Sequence, residues 1–360
     1  MDIRNYTSSP APSSGRNPWI KRINDRRVER NVEAEFDLTY YDIIAVSSSG
    51  GKDSECALDV TYCTAEKQGV TDRIVVIHAD LGRVEWEGSK EIAAAQAAYF
   101  DVPFIAAFRS KDGQRQGLLE HVVAKHNANL VNFDPIEVEI RDENGKKTGE
   151  KYPTTVSGAA ATGKRAPWFG VGILRYCTSD HKRGPISTVY TAMADKWREE
   201  TGLQRPCRIL EVCGMRAGES SERAKLQPFT EQPKNKAWSS NQQISQWLPI
   251  HHWKSSCDPK FDAATDTDDV WDNIHKKELP YHHAYDLGMP RLSCVFCPYQ
   301  NREAMTLAAR HNPTLLNEYC DVEAYTGYTF TPKISLTEIR DGLQIEPADA
   351  EPVAVASWTM

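Results

Sequence analysis

The chain has no apolar run approaching the length of a membrane span, and its first residues do not show the order of charged, apolar and small residues that marks an export signal. No basic excess is present: 43 Lys and Arg stand against 50 Asp and Glu, a formal net charge of −7, so the molecule as a whole is not built as a polyanion binder. There is no internal repeat. The nine cysteines are an odd number dispersed over 360 residues, which is not a disulfide framework; thiols or metal ligands in a reducing cytoplasm are the expectation. What remains is an ordinary composition, 40% hydrophobic and 26% charged, in a chain long enough to bury a large core as one elaborated domain or two.

Charge is unevenly placed. Arg16, Lys21, Arg22, Arg26, Arg27 and Arg30 crowd an amino-terminal arm, and Glu338, Asp341, Glu346, Asp349 and Glu351 collect near the other end. The Ser- and Pro-rich opening residues and the segment from Glu346 onward read as disordered. Between them strands and helices alternate. Strands are expected at 43–47, 73–78, 103–108 and 208–213, and helices at 54–68, 88–100, 118–127 and 186–200. A hairpin is expected from Ile136 through Lys151, followed by a loop to Gly172. This alternation implies an α/β fold with a doubly wound parallel sheet and right-handed crossovers, whose ligands sit at the carboxyl ends of the strands.

One such end carries Ser49-Gly50-Gly51-Lys52-Asp53-Ser54, between the apolar run Ile43–Val46 and a helical stretch. A strand running into a glycine turn and then a helix aims backbone N–H groups and the helix dipole at one spot, which suits an anion. Lys52 can neutralise phosphate, Asp53 can hold Mg²⁺, and Ser49 and Ser54 can donate hydrogen bonds. The string is not a Walker loop, which needs four residues between Gly and Gly-Lys-Ser/Thr. It resembles the PP-loop of the ATP pyrophosphatases.

Four further segments follow. His78-Ala79-Asp80-Leu81-Gly82 closes the second strand; Asp80 suits a ribose hydroxyl or Mg²⁺, and Gly82 leaves room for a nucleotide. Next are Arg175-Tyr176-Cys177-Thr178 with Lys182 and Pro185, and Gly214-Met215-Arg216-Ala217-Gly218-Glu219-Ser220-Ser221-Glu222-Arg223. The last runs from Pro249 through Trp271, Tyr281 and Tyr285 to Cys294-Val295-Phe296-Cys297-Pro298. Together, over roughly residues 40–300, these resemble the phosphoadenosine phosphosulfate (PAPS) reductase-like family of PP-loop adenine nucleotide α-hydrolases. Leu81, where Thr is usual, Ser293, where Gly is usual, and an insertion at Lys254–Thr267 depart from that pattern.

The resemblance implies domains. A basic, partly disordered arm spans 1–35, the nucleotide-binding domain 36–290, a Cys-x-x-Cys segment 291–330 and an acidic, partly disordered tail 331–360. It implies an ATP site of Ser47, Ser49, Gly50, Gly51, Lys52, Asp53, Ser54, Asp80, Gly82 and Gly214. Lys52, Asp53, Lys182, Arg216 and Arg223 are the implied catalytic groups. An intact Lys52-Asp53 pair and the absence of a carboxyl-terminal Glu-Cys-Gly-Leu-His-like string make the pattern most similar to Dnd-type DNA phosphorothioation sulfurtransferases, with ATP and Mg²⁺ bound. PAPS or APS reductase, ATP sulfurylase-like chemistry and a nucleotide-binding regulatory component without turnover are the alternatives.

Cys294 and Cys297 are spaced to bind one metal centre. Cys177 is the expected third ligand, and Cys320 or Cys213 the fourth. A 4Fe–4S cluster is the first expectation and Zn²⁺ the second, because thiolates serve both. The expected reaction is adenylation of an acceptor, with release of pyrophosphate and then sulfur transfer. DNA or RNA is the candidate acceptor and a cysteine desulfurase the candidate donor. His251-His252 and His282-His283 read as structural, Cys56, Cys63, Cys207 and Cys257 as small packing hydrophobes, and Trp197, Trp247 and Trp271 as core.

Overall fold

The structure, a computed structural model, describes residues 36–131, 136–141, 147–154, 168, 175–233, 238–252 and 267–344. The basic arm, the segment from 345, and Cys257 lie outside the described residues. The chain divides into two compact units: residues 1–81, 85–109 and 180–294 form the first, and residues 82–84, 110–179 and 295–360 the second. The sequence-based division near 290 therefore becomes an interleaved one, in which residues 110–179 group with the segment that follows Cys294.

The first unit contains β1 (Ile43–Ser48), α1 (Lys52–Gln68), β2 (Ile74–Ala79), α2 (Ser89–Tyr99) and β3 (Phe104–Ala107). It continues with α3 (Gly184–Thr201), β4 (Cys207–Cys213), β5 (Phe229–Thr230), β6 (Gln242–Trp247) and α4 (Thr267–Lys277). Its six-stranded sheet has the order β3-β2-β1-β4-β6-β5. All neighbours are parallel except β5, which runs antiparallel to β6. This is the expected doubly wound α/β sheet.

Its strands are apolar on both faces because both faces are covered. Ile44, Val46, Ile74, Val76, Leu210 and Val212 pack with Ala57 and Leu58 of α1, Ala97 of α2, and Val270 and Ile274 of α4. The alternate residues Ile43, Ala45, Val75, Ile77 and Ile209 pack with Val189, Tyr190, Met193 and Trp197 of α3. Each fully buried aliphatic side chain contributes roughly 1.5–3 kcal/mol. β6 has no matching run: Gln242, Gln243, Ser245 and Gln246 break it, and only Ile244, Ser245 and Trp247 are buried.

The second unit has the helix Leu118–Val131, the expected antiparallel hairpin Ile136–Arg141 with Lys147–Thr154, and the helices Arg302–His311, Pro313–Thr326 and Leu336–Gly342. Trp168 stacks on Tyr319 at 5.8 Å, and Tyr319 meets Phe296 and Phe330 edge-on at 5.1 and 5.6 Å. Glu323 organises the last helix. Its carboxylate accepts from the backbone N–H groups of Phe330, Leu336 and Thr337 and from the hydroxyls of Ser335 and Thr337. No described helix is long and apolar enough to cross a membrane.

Candidate functional site

The strand order reverses between β1 and β4. From β1 the chain winds outward through β2 to β3, then returns past β1 to β4. Crevices for ligands open at the carboxyl side of such a switch point. The Ser49-Gly50-Gly51 turn leaves β1 there and enters α1 at Lys52.

Gly50 has φ +72°, and a Cβ on it would lie 2.6 Å from both Ile92 Cγ2 and the Ser89 carbonyl oxygen. Only glycine fits that conformation and that space. Gly51, the N-cap of α1, is extended and offers no side chain to the first-turn amides. The neighbouring hydroxyls fold the loop inward. Ser48 Oγ accepts from Gly50 N–H at 3.0 Å, and Ser54 Oγ accepts from Ser49 N–H at 3.3 Å while donating to the Gly51 carbonyl at 2.8 Å. Ser54 is thus a buried brace, whereas Ser49 is exposed. Gln96 of α2, which the sequence does not single out, holds the same turn: its amide donates to the Gly50 and Pro280 carbonyls at 3.3 and 3.1 Å.

β4 delivers Gly214 directly onto this turn. A Cβ there would lie 2.6 Å from the Asp53 carbonyl carbon and 2.8 Å from Ser54 N. The glycine expected at the nucleotide site is therefore required by backbone contact with the start of α1. Arg216 follows and donates from Nε to Asp53 Oδ1 at 2.6 Å, and Lys52 Nζ lies 3.3 Å from Asp53 Oδ2. The structure brings Lys52, Asp53 and Arg216 together, with Asp53 between two cations. Glu219 steadies Arg216 through the capping-box contact with its backbone N–H at 2.9 Å and pairs with Arg223. Arg223 thus serves this turn, and its carbonyl meets His251 Nε2 at 3.0 Å.

Lys52 is buried, 2% exposed, and does not project into solvent. Its ammonium donates to the Pro290 carbonyl at 3.3 Å and stands over the Tyr285 ring at 5.2 Å. The Lys52 backbone N–H donates to the Tyr285 hydroxyl at 3.0 Å. Trp271 of α4 packs edge-on to Tyr285 at 5.0 Å. One turn further along α1, Glu55 is fully buried, and neither of its carboxyl oxygens has a hydrogen-bond partner. Burial, and secondarily the charge of Asp59, pushes its acid up to about 9, so it stays neutral at pH 7. Tyr285 belongs to the last of the sequence segments but without an assigned role there, and Glu55 carries no sequence signal for its position.

The remaining candidates are placed more loosely. Ser47, the penultimate residue of β1, is half-buried and shares a hydrogen bond with Tyr190. Asp80 continues the β2–β3 pairing through its N–H to the Ala107 carbonyl at 2.8 Å. Lys182 is half-buried on the turn Ser179–Arg183 that opens α3. Cys213 ends β4 and accepts from Gln246 Nε2 at 3.8 Å. Cys294 pairs by a backbone bridge with Glu85. In the second unit, Gly82 has φ +73° and faces the Arg115 guanidinium, and Arg175, two residues before Cys177, stacks on Tyr299, two residues after Cys297. Cys320 is buried, and desolvation pushes its thiol up to about 11. Without a metal beside it, a thiol so held stays protonated at pH 7. Among the described residues no three His, Cys, Asp or Glu side chains gather as a metal-holding group. His282 is structural as expected: its ring accepts from Ala284 N–H and meets the Glu87 carbonyl at 2.9 Å.

No family model matches the chain, and no curated protein matches it. Among solved structures, the U34-tRNA thiolase from Methanococcus maripaludis, described with its 4Fe–4S cluster, matches at 11% identity over 90% of this chain and 86% of that one, with a TM-score of 0.32.

Proposed function

We propose that the first unit binds ATP–Mg²⁺ at the Ser49–Ser54 turn and activates an acceptor by adenylation. The observation that carries this reading is the glycine turn at the switch point of the sheet, with Lys52, Asp53 and Arg216 clustered where it enters α1. In the proposed step an acceptor oxygen forms a bond to the α-phosphorus, the bond to the bridging oxygen of the β-phosphate breaks, and pyrophosphate leaves with that electron pair. Two cations and first-turn amides stabilise the charge that develops on the phosphates. Asp53 keeps both cations at the turn. The terminal sulfur of a persulfide then bonds to the activated acceptor atom, that atom's bond to the adenylated oxygen breaks as AMP leaves with the electron pair, and a thiol reductant cleaves the S–S bond to leave one sulfur on the acceptor. The sulfur source is a persulfide-donating enzyme, and the acceptor is a nucleic acid held in part by the basic arm. A cysteine-bound iron–sulfur centre belongs to the same reading on the Cys294–Cys297 spacing alone; iron and acid-labile sulfide measured on anaerobically purified protein test it.

The decisive experiment is product analysis with ATP and Mg²⁺ by phosphorus NMR. AMP and pyrophosphate are expected, and Lys52→Ala should lower turnover at least about 100-fold, the scale of removing one charge-stabilising group. ADP and phosphate as products would overturn the reading. Sulfite formed from PAPS with a thiol reductant would replace it with reductase chemistry.

A further inference from the structure

We propose that the turn from His282 to Leu292 is an internal occupant of the phosphate site, with the Tyr285 hydroxyl standing where a phosphate oxygen of the nucleotide binds. The proposal rests on the phosphate-binding reading of the Ser49–Ser54 turn. Two oxygens of this one turn meet two donors of one residue. The Tyr285 hydroxyl accepts from Lys52 N–H at 3.0 Å, and the Pro290 carbonyl accepts from Lys52 Nζ at 3.3 Å. A backbone amide of the first helical turn and an ammonium are the donor pair that a phosphate group takes at a strand–turn–helix junction.

The hydroxyl reaches the floor of the turn: a Cβ added to Gly51 would lie 3.1 Å from it. A phosphate oxygen and this hydroxyl cannot occupy the same amide together. The phenol is neutral, because burial pushes it up to about 12, so it is a weaker acceptor than a phosphate oxygen and yields to one. The turn closes its own backbone locally, while the His282 ring anchors its start to the Glu87 carbonyl. His283–Tyr285 is one 3₁₀ turn closed by Gly288 N–H to the Tyr285 carbonyl at 2.9 Å and Met289 N–H to the Ala284 carbonyl at 3.0 Å. The hydroxyl also accepts from Leu292 N–H at 3.2 Å, so its departure releases a second amide whose exposure can be read.

The test uses the full chain and inorganic pyrophosphate as probe, followed by calorimetry in wild type and Tyr285→Phe, with melting temperatures as the check on folding. The phenylalanine keeps the ring over Lys52 and removes only the competing oxygen. Its affinity for pyrophosphate should rise about threefold to tenfold, the worth of one neutral hydrogen bond. Hydrogen exchange on wild type gives a second readout that does not depend on the variant: pyrophosphate should speed exchange at the Leu292 amide while it slows exchange in the first turn of α1. Equal or weaker binding by a folded Tyr285→Phe protein, or slower exchange at Leu292, overturns the proposal alone. Pyrophosphate binding by neither protein overturns the phosphate-site reading and the proposal with it.

Discussion

Glu55 holds a proton that its solution chemistry would release. Its acid lies at about 9 in the folded chain against an ordinary 4.5, because burial without a hydrogen-bond partner penalises the charged form. Between those two values the native state binds a proton that the unfolded state has lost, so stability falls as pH rises through this window and levels off above it. Glu55→Gln mimics the neutral acid and removes that slope. It should match wild type near pH 5 and exceed it at pH 8.5 by about 2 kcal/mol or more. Urea unfolding of both proteins at the two pH values measures this, and parallel stability profiles would show that Glu55 ionises normally. Nothing in the string Ser54-Glu55-Cys56 announces such a residue, since an acidic side chain in the first helical turn ordinarily faces water and complements the dipole. Lys52 shows the same limit. Its type and place in the motif were legible, but its burial against Tyr285 and Pro290 arises from a turn more than two hundred residues away.

At the scale of elements, the sequence announced β1, β2, β3 and β4 through continuous apolar runs, which a sheet covered on both faces demands. It did not announce β6, whose glutamines and serine read as loop, or the helix Leu336–Gly342, which fell in a stretch read as tail. That helix depends on Glu323, a carboxylate on another helix that gathers three backbone N–H groups and two hydroxyls; no periodicity reports a hub of this kind. Glu323→Ala strands these buried donors and should cost about 3 kcal/mol or more, seen as a lower melting temperature and early proteolytic cleavage between 327 and 337. An unchanged melting temperature would mean the donors find other partners.

Gly214 makes a sharper test of the junction between elements. Gly214→Ala drives a methyl group into the Asp53–Ser54 peptide and must move either β4 or the start of α1. Pyrophosphate affinity should fall at least about tenfold, because the first-turn amides no longer converge. Gly202→Ala is the control. Gly202 has φ +68° at the end of α3 with nothing within 4 Å, so its loss costs only about 1 kcal/mol of backbone strain and leaves affinity unchanged. Similar affinities in the two variants would mean that β4 does not position the turn.

Across the whole molecule, charge is segregated more strongly than the net value of −7 suggests. Six Arg and Lys residues lie from Arg16 to Arg30, with Asp25 and Glu29 the acidic residues among them and Trp19 beside them. The arm lies outside the described residues, so its proposed role rests on sequence alone. A segment with that charge can neutralise several phosphates and release their counterions, which makes binding depend steeply on salt. An aromatic side chain beside the cations adds a stacking surface for an unpaired base. The acceptor proposed above then acquires a measurable signature. Full-length protein should bind single-stranded DNA or tRNA at 50 mM salt and lose about two orders of magnitude in affinity by 200 mM, as expected for about four phosphate contacts. A version beginning near Glu33 should bind more weakly at low salt and show a shallower slope, while its affinity for ATP–Mg²⁺ stays at the full-length level. Identical slopes would place the nucleic-acid contacts elsewhere on the chain. No binding by either protein at 50 mM salt would exclude a nucleic-acid acceptor and leave adenylation of a small molecule as the activity to measure.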